Sequence, residues 1–212
     1  MDFTSGSQGG DFLVNDSFTA LNQAWATEVN APEILPYRHE IVSEIKSQLT
    51  TQQESIDQKG QEAEEGEYFI ISLYQMDVER VRYSLTRYLR ARLLKIERSL
   101  EHIVSDINAI ELLSKEERAF ATRLNALNNA YFEDTVSSRL AHAESREYYG
   151  VSENKIKNAR PSGGFVFCRA KADLQDLAVS ADQTSTLWAG DIGILHYSVI
   201  QEQVRSGQAE LL

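Results

Sequence analysis

The stretch YQMDVERVRYSLTRYLRARLLKIE, Tyr74–Glu97, decides the fold. It holds no glycine or proline and is rich in residues that favour helices, so it reads as the middle of a long helix. It also concentrates positive charge. From Arg80 to Arg98 seven basic side chains stand against one acid, Glu97, a local +6 in a chain of formal net charge −11; the remaining residues therefore sum to −17. At 100° per residue, Ile70, Ile71, Tyr74, Val78, Val81, Leu85, Tyr88, Leu89, Leu93, Ile96, Leu100 and Ile103 share one broad sector, the face expected in the chain's own core. Met76, Tyr83 and Leu94 lie opposite, among Arg80, Arg87 and Arg90. Aromatic, methionine and arginine residues together have the composition of protein–protein interface cores, so these six are expected to meet a partner. Two other readings stay open: a solvated basic face whose arginine stems cover apolar surface, and phosphate contact through Arg80, Arg87, Arg90 and Arg98. Arg82 and Arg92 project into the apolar sector. A buried guanidinium needs a carboxylate, so both are expected in structural ion pairs.

Outward from this stretch, the helical pattern extends from about Tyr68 to about Ser105, on the order of 55 Å. A compact chain of 212 residues has a diameter of about 43 Å, so an unbroken helix implies an elongated fold or a covering partner. Residues 1–16 are rich in Gly, Ser and Asp and are expected to be disordered. Phe18 to Val29 has a helical spacing of Phe18, Leu21, Trp25 and Val29 and is stopped by Pro32. A second helix is expected from near Pro36, with Tyr37, Ile41, Ile45 and Leu49 as its stripe, fading near Ile56. Residues 58–67 read as an acidic loop. Beyond the central helix, Ser114 and Glu117 form a capping box, opening a helix with Phe120, Leu124, Leu127 and Tyr131 on one face. A short helix from Ser138 to Tyr149 completes a helical domain over 17–149.

The character then changes. Residues 150–164 end in Pro161, Gly163 and Gly164 and read as a linker. From Phe165 the segments are short and β-prone. Ser198 and Gln201 suggest a second capping box, Gly207 suits the position after a helix end, and AELL reads as a terminal strand. The fold class predicted is mainly α: an elongated N-terminal helical bundle followed by a small β-rich domain over 165–212. That domain is small enough to need a surface to lean on. Phe165, Phe167, Ile194, Tyr197, Leu211 and Leu212 are expected to pack it.

The composition excludes several kinds of chemistry. The acidic balance argues against general nucleic-acid binding. One cysteine, Cys168, allows no internal disulfide and suits a reducing compartment; in an apolar strand it reads as a buried, inert thiol. The N-terminus has no basic and apolar leader pattern, and no apolar run is long enough for a membrane span. His39, His102, His142 and His196 are scattered, with no ligand spacing for a metal. No nucleophile, base or phosphate loop is seen, so no enzyme activity, cofactor or metal is expected.

Three segments resemble a GINS complex subunit of the Sld-five type: ILPYRHEIVSEI (Ile34–Ile45); Tyr74–Glu97 followed by LLSKEERAFATRL (Leu112–Leu124); and GDIGILHYSVIQEQVRSGQAELL (Gly190–Leu212). The order, helical domain first and β-domain last, also matches that subunit. The resemblance implies a non-catalytic, nuclear, architectural role in DNA replication. It implies a tetramer with three other GINS subunits, bound to the hexameric helicase core and the Cdc-forty-five protein. It further implies long helices laid against neighbouring subunits, a β-domain packed onto the tetramer, and an N-terminal tail able to hold a short adaptor-binding peptide, for which Asp11–Val14 is the candidate. Residues 1–30 and 172–189 carry none of the resemblance.

Overall fold

A computed structural model describes residues 10–62, 66–135, 137–139, 164–180 and 183–212. Three helices come first: α1 (Gly10–Asn30), α2 (His39–Glu62) and α3 (Tyr68–Arg98). Three more follow, α4 (Leu100–Ser105), α5 (Ile107–Glu111) and α6 (Lys115–Thr135), then a 3-10 turn at Ser137–Arg139. The C-terminal part holds β1 (Phe165–Ala170), β2 (Leu174–Ser180), β3 (Gln183–Leu187), β4 (Ile192–His196), α7 (Tyr197–Ser206) and β5 (Ala209–Leu211). A helical bundle followed by a small strand-rich region is thus the fold. Two compact units form, one from Met1–Val29 and Arg38–Ala91, the other from Asn30–Tyr37 and Arg92–Leu212.

The element boundaries correct several expectations. Residues 10–16 belong to α1, so the helix begins well before Phe18. The second helix starts at His39, not Pro36, because Pro36 and Tyr37 are held in an extended segment whose Tyr37 N–H donates to Leu112 O. It also runs through 58–62, where an acidic loop was expected; Gln, Glu and Lys are good helix formers and solvate well on an exposed last turn. Helix α3 has 31 residues, about 46 Å, and ends at Arg98. A break at Ser99 (φ −119°, ψ 27°) separates it from α4, so the single helix to Ser105 does not exist. Asp106 caps α5, its carboxylate accepting from Asn108 N–H at 3.0 Å. The Ser114–Glu117 capping box forms: Glu117 N–H donates to Ser114 Oγ at 3.1 Å and Ser114 N–H donates to Glu117 Oε2 at 2.9 Å. Ser198 and Gln201 do not make a second box. Helix α7 starts at Tyr197 after His196, and no side chain caps it. Of the expected helix 138–149, only Ser138 and Arg139 are described, in the 3-10 turn; the expected linker lies outside the described residues apart from Gly164.

The first unit is built around Leu21 of α1, Val42, Ile45 and Ile56 of α2, and Val78, Leu85 and Tyr88 of α3, all buried. Ile45 lies on the expected α2 stripe, but Val42 takes the buried place expected for Ile41. Val29 is exposed although it shares the spacing of Leu21.

The second unit holds two apolar clusters. In one, Ile34 packs with Ile96, Leu100, Ile103, Ala109, Leu113 and Ala121. In α6 only the first half contributes: Leu127 and Tyr131 are exposed, so its apolar stripe is not continuous core. The other cluster lies inside the strand-rich region. Strands are ordered β4–β1–β5, all antiparallel, with β2 and β3 as a separate hairpin. Helix α7 buries Tyr197, Ile200 and Val204 among Cys168, Ala170, Leu195, Ala209 and Leu211. Gly193 keeps this inner face flat: a Cβ there would stand 3.3 Å from Leu187 Cδ2.

Helix α7 ends at Gly207, whose φ of 80° is left-handed. Gln208 N–H then reaches Gln203 O at 2.8 Å, closing the helix end. Gly207→Ala is expected to lower stability by about 1 kcal/mol, read as a drop in the urea midpoint. An unchanged midpoint would mean that the turn relaxes without strain.

Candidate protein-interaction site

In the first unit, the face of α3 opposite the core presents Met76 and Tyr83, 67% and 61% exposed. Its arginines are not bare. Arg80 lies 3.3 Å from Asp77, and its guanidinium stands 5.5 Å from the Phe18 ring centre. Arg87 lies over Trp25 at 4.4 Å and over Tyr83 at 5.4 Å, and donates to Tyr83 Oη at 3.2 Å. Helix α1 therefore already lines part of the face expected for a partner. The sequence held a clue to this, since Phe18 and Trp25 are aromatic and seven residues apart, as are Arg80 and Arg87. Arg90 is exposed.

Arg82 corrects the expectation of a buried ion pair. It is exposed and bonded to Glu79, one turn earlier on the same helix. Such exposed pairs contribute roughly 0–1 kcal/mol. The first turns of α3 are also open: Ile70 and Tyr74, expected in the core, are exposed with Tyr68, Phe69 and Leu73. The run YFIISLY, residues 68–74, has apolar residues on every side of the helix.

In the second unit Leu94 is exposed. Arg92 has no solvent-accessible surface. Its Nε and Nη2 donate to the two carboxylate oxygens of Glu117 at 2.8 and 3.0 Å. Nη1 donates to Leu35 O at 2.7 Å and Nη2 to Leu112 O at 3.2 Å, while the guanidinium lies over Tyr37. One side chain thus fastens α6, the α5–α6 corner and the segment 30–37.

That segment is fastened again at Glu33. Its carboxylate accepts from Tyr197 Oη (2.8 Å), from Gln201 Nε2 (2.9 and 2.8 Å), and from Arg205 Nε and Nη2 (2.9 and 2.7 Å). Burial pushes the Glu33 carboxyl up. The bonds from Arg205, Gln201 and Tyr197 together outweigh that and hold it below the ordinary 4.5. Lys95 Nζ donates to Glu33 O at 2.8 Å. A cleft of about 340 Å³ beside them is lined in part by Lys95, His102, Asp106 and Arg205. Glu33 was not singled out from sequence; the glutamate between Pro32 and Ile34 had no visible partner, because its partners lie more than 160 positions away.

The strand-rich region corrects the packing residues. Tyr197 and Leu211 are buried, but Phe165 (76% exposed), Phe167 and Ile194 (both 58%) and Leu212 are not. Successive residues of a strand alternate between faces, and α7 covers the face of Cys168, Ala170 and Leu195. The phenylalanines fall on the other side.

Chemistry of other kinds is sparse. Cys168 is buried, and burial pushes its thiol up, against a weaker opposing contact from Gly193 O. Among the described residues no group of three His, Cys, Asp or Glu side chains could hold a metal ion, and no helix is long and apolar enough to cross a membrane. His39 and His196 are exposed, His102 is half-buried, and His142 lies outside the described residues. Asp11–Val14 fall within α1.

A helical bundle carrying a small β-domain, with exposed apolar residues on both, defines the class of protein. The pattern of the GINS complex protein helical bundle domain matches residues 39–136, and that of the DNA replication complex GINS protein SLD5 C-terminus matches residues 162–212. Over 200 residues the chain is 32% identical to the Arabidopsis thaliana protein DNA replication complex GINS protein SLD5, covering 91% of this chain and 89% of that one. The Homo sapiens protein of the same name is 29% identical over 206 residues, covering 91% and 87%. The Schizosaccharomyces pombe protein is 27% identical over 200 residues, covering 94% and 93%. The chain belongs to the GINS SLD5 family.

Proposed function

We propose that this chain is a non-catalytic structural subunit of a GINS heterotetramer in the nucleus. In this reading it joins three other GINS subunits. The tetramer links the hexameric helicase core to the Cdc-forty-five protein for initiation and elongation of DNA replication. The observation that carries the reading is the match to SLD5 relatives across both domains and nearly the whole chain. The exposed Met76 and Tyr83 on α3 support it, because large apolar groups left open on a helix are typical of a covered interface. The partner face is then Met76, Arg80, Tyr83, Arg87 and Arg90 in the first unit and Leu94 in the second.

Co-expression with the three other GINS subunits tests the role. Tyr83→Ala combined with Leu94→Ala is expected to weaken assembly at least tenfold without lowering the melting temperature of the free chain. Full assembly by that double variant would remove this face from the interface. A chain that stays monomeric and never co-purifies would overturn the role itself. Direct DNA binding through Arg80–Arg98 is the alternative. It is disfavoured because Arg80 and Arg82 have carboxylate neighbours on their own helix and Arg87 is stacked on aromatic rings. Salt-titrated binding of the free chain to single- and double-stranded DNA separates the two, since phosphate contacts weaken steeply with salt.

A further inference from the structure

The three-stranded sheet leaves β4 as an edge, and the direction of its backbone groups can be read from the ladder. Tyr197 N–H donates to Gly164 O and Ala170 N–H to Asp191 O, while Leu212 N–H donates to Phe167 O and Lys171 N–H to Gln208 O. Even-numbered residues of β1 therefore bond to β4 and odd-numbered ones to β5. With Val166 opposite Leu195 and Cys168 opposite Gly193, the odd-numbered residues of β4 face β1. Ile192 and Ile194 must turn their N–H and C=O groups to the open edge. Among the described residues these groups have no strand beside them.

The same two residues carry exposed side chains. Ile194 stands opposite Phe167 and Ile192 opposite Arg169, with Phe165 and His196 at the end of the row, their rings edge to face at 5.7 Å. An edge strand in a protein that works alone is normally guarded by lysine, proline or a bulge. Ile192–His196, IGILH, has no such guard, and its pairing with β1 is regular.

We propose that β4 is a strand-addition site. An extended segment of another subunit of the assembly pairs with the outer edge of β4, bonding to the backbone of Ile192 and Ile194. It places apolar side chains at alternating positions beside Ile192, Ile194 and Phe167. Main-chain bonds supply affinity, and the apolar face selects the register. The inference rests on the assembly role proposed above and names how the β-domain takes part in it.

Hydrogen exchange of the full chain, alone and within the reconstituted four-subunit complex, tests it. In the free chain the amides of Gly193 and Leu195 are expected to be protected and those of Ile192 and Ile194 open. In the complex Ile192 and Ile194 become protected at least tenfold. Ile194→Pro removes an outward-facing N–H without breaking the β1 ladder, as proline is tolerated at such edge positions. It is expected to leave the free chain's melting temperature within a few degrees and to reduce assembly at least tenfold. Assembly with no added protection at Ile192 and Ile194 overturns strand addition but not the assembly role. Protection already present in the free monomer, or in a homodimer of this chain, overturns it as well. Failure of the wild-type chain to assemble removes both.

Discussion

Replacing Arg92 by alanine is expected to destabilise the chain by about 3–5 kcal/mol, the usual result of stranding one member of a buried ion pair. Glu117 would keep its charge without its fork of donors, and the carbonyls of Leu35 and Leu112 would lose theirs. Glu117 also caps α6 through Ser114, so its own substitution is expected to cost a similar amount. Lysine at position 92 should not rescue, because a single ammonium cannot match a carboxylate and two carbonyls in a planar fork. Arg92→Met with Glu117→Met is expected to recover part of the loss, since no buried charge remains, but not all, since the carbonyls and the cap stay unpaired. Urea unfolding followed by circular dichroism checks this. A loss below about 1 kcal/mol for Arg92→Ala would mean that water or a moved side chain replaces the guanidinium.

Outside the Arg92–Glu117 pair, Glu33→Ala is expected to have the largest effect, about 2–3 kcal/mol, because a charged acceptor shared by three donor side chains disappears. The loss should be local. Amide exchange is expected to accelerate across α7 and β5 while α2 is unchanged; uniform acceleration would contradict a local role. The same group sets a pH dependence. The folded carboxyl titrates below the ordinary 4.5, so its contribution is complete above that value and disappears as pH falls through the folded pKa. Glu33→Gln removes that component. The difference between the wild-type and Glu33→Gln melting curves should therefore shrink as pH is lowered below 4.5. A constant difference would show that the charge of Glu33 contributes nothing.

The two arginines of the apolar sector show what a sequence can and cannot decide. Arg82 has Glu79 three positions earlier, and a helix surface places such residues side by side, so a local exposed pair was available. Arg92 has Tyr88, Leu89, Lys95 and Ile96 at the corresponding positions and no acid among them. That contrast separates them, and helical angle alone did not. The long helix and the change to strands after Phe165 were legible because local propensity and periodicity govern them. The faces of β1 were not. Phe165 and Phe167 outweigh Cys168 and Ala170 in apolar bulk, yet it is the smaller pair that is buried in the cluster with α7. The break at Ser99 leaves no proline or glycine to mark it. Glu33 was invisible because its meaning depends on residues near the other end of the chain.

That last separation has a consequence for how the molecule forms. The segment 30–37 gives Ile34 to one cluster of the second unit and Ala31 and Leu35 to the other. The bonds of its Glu33 carboxylate span 164 to 172 positions. Closing so long a loop is entropically slow, and contacts of this range are made late. During synthesis the segment emerges more than 160 positions before α7, so the Glu33 carboxylate meets its partners only once that helix has been made. The C-terminal domain is thus completed by residues from near the N-terminus. A shortened chain that begins after position 37 would carry β1 to β5 and α7 yet lack Ala31 and Leu35 from the cluster they share.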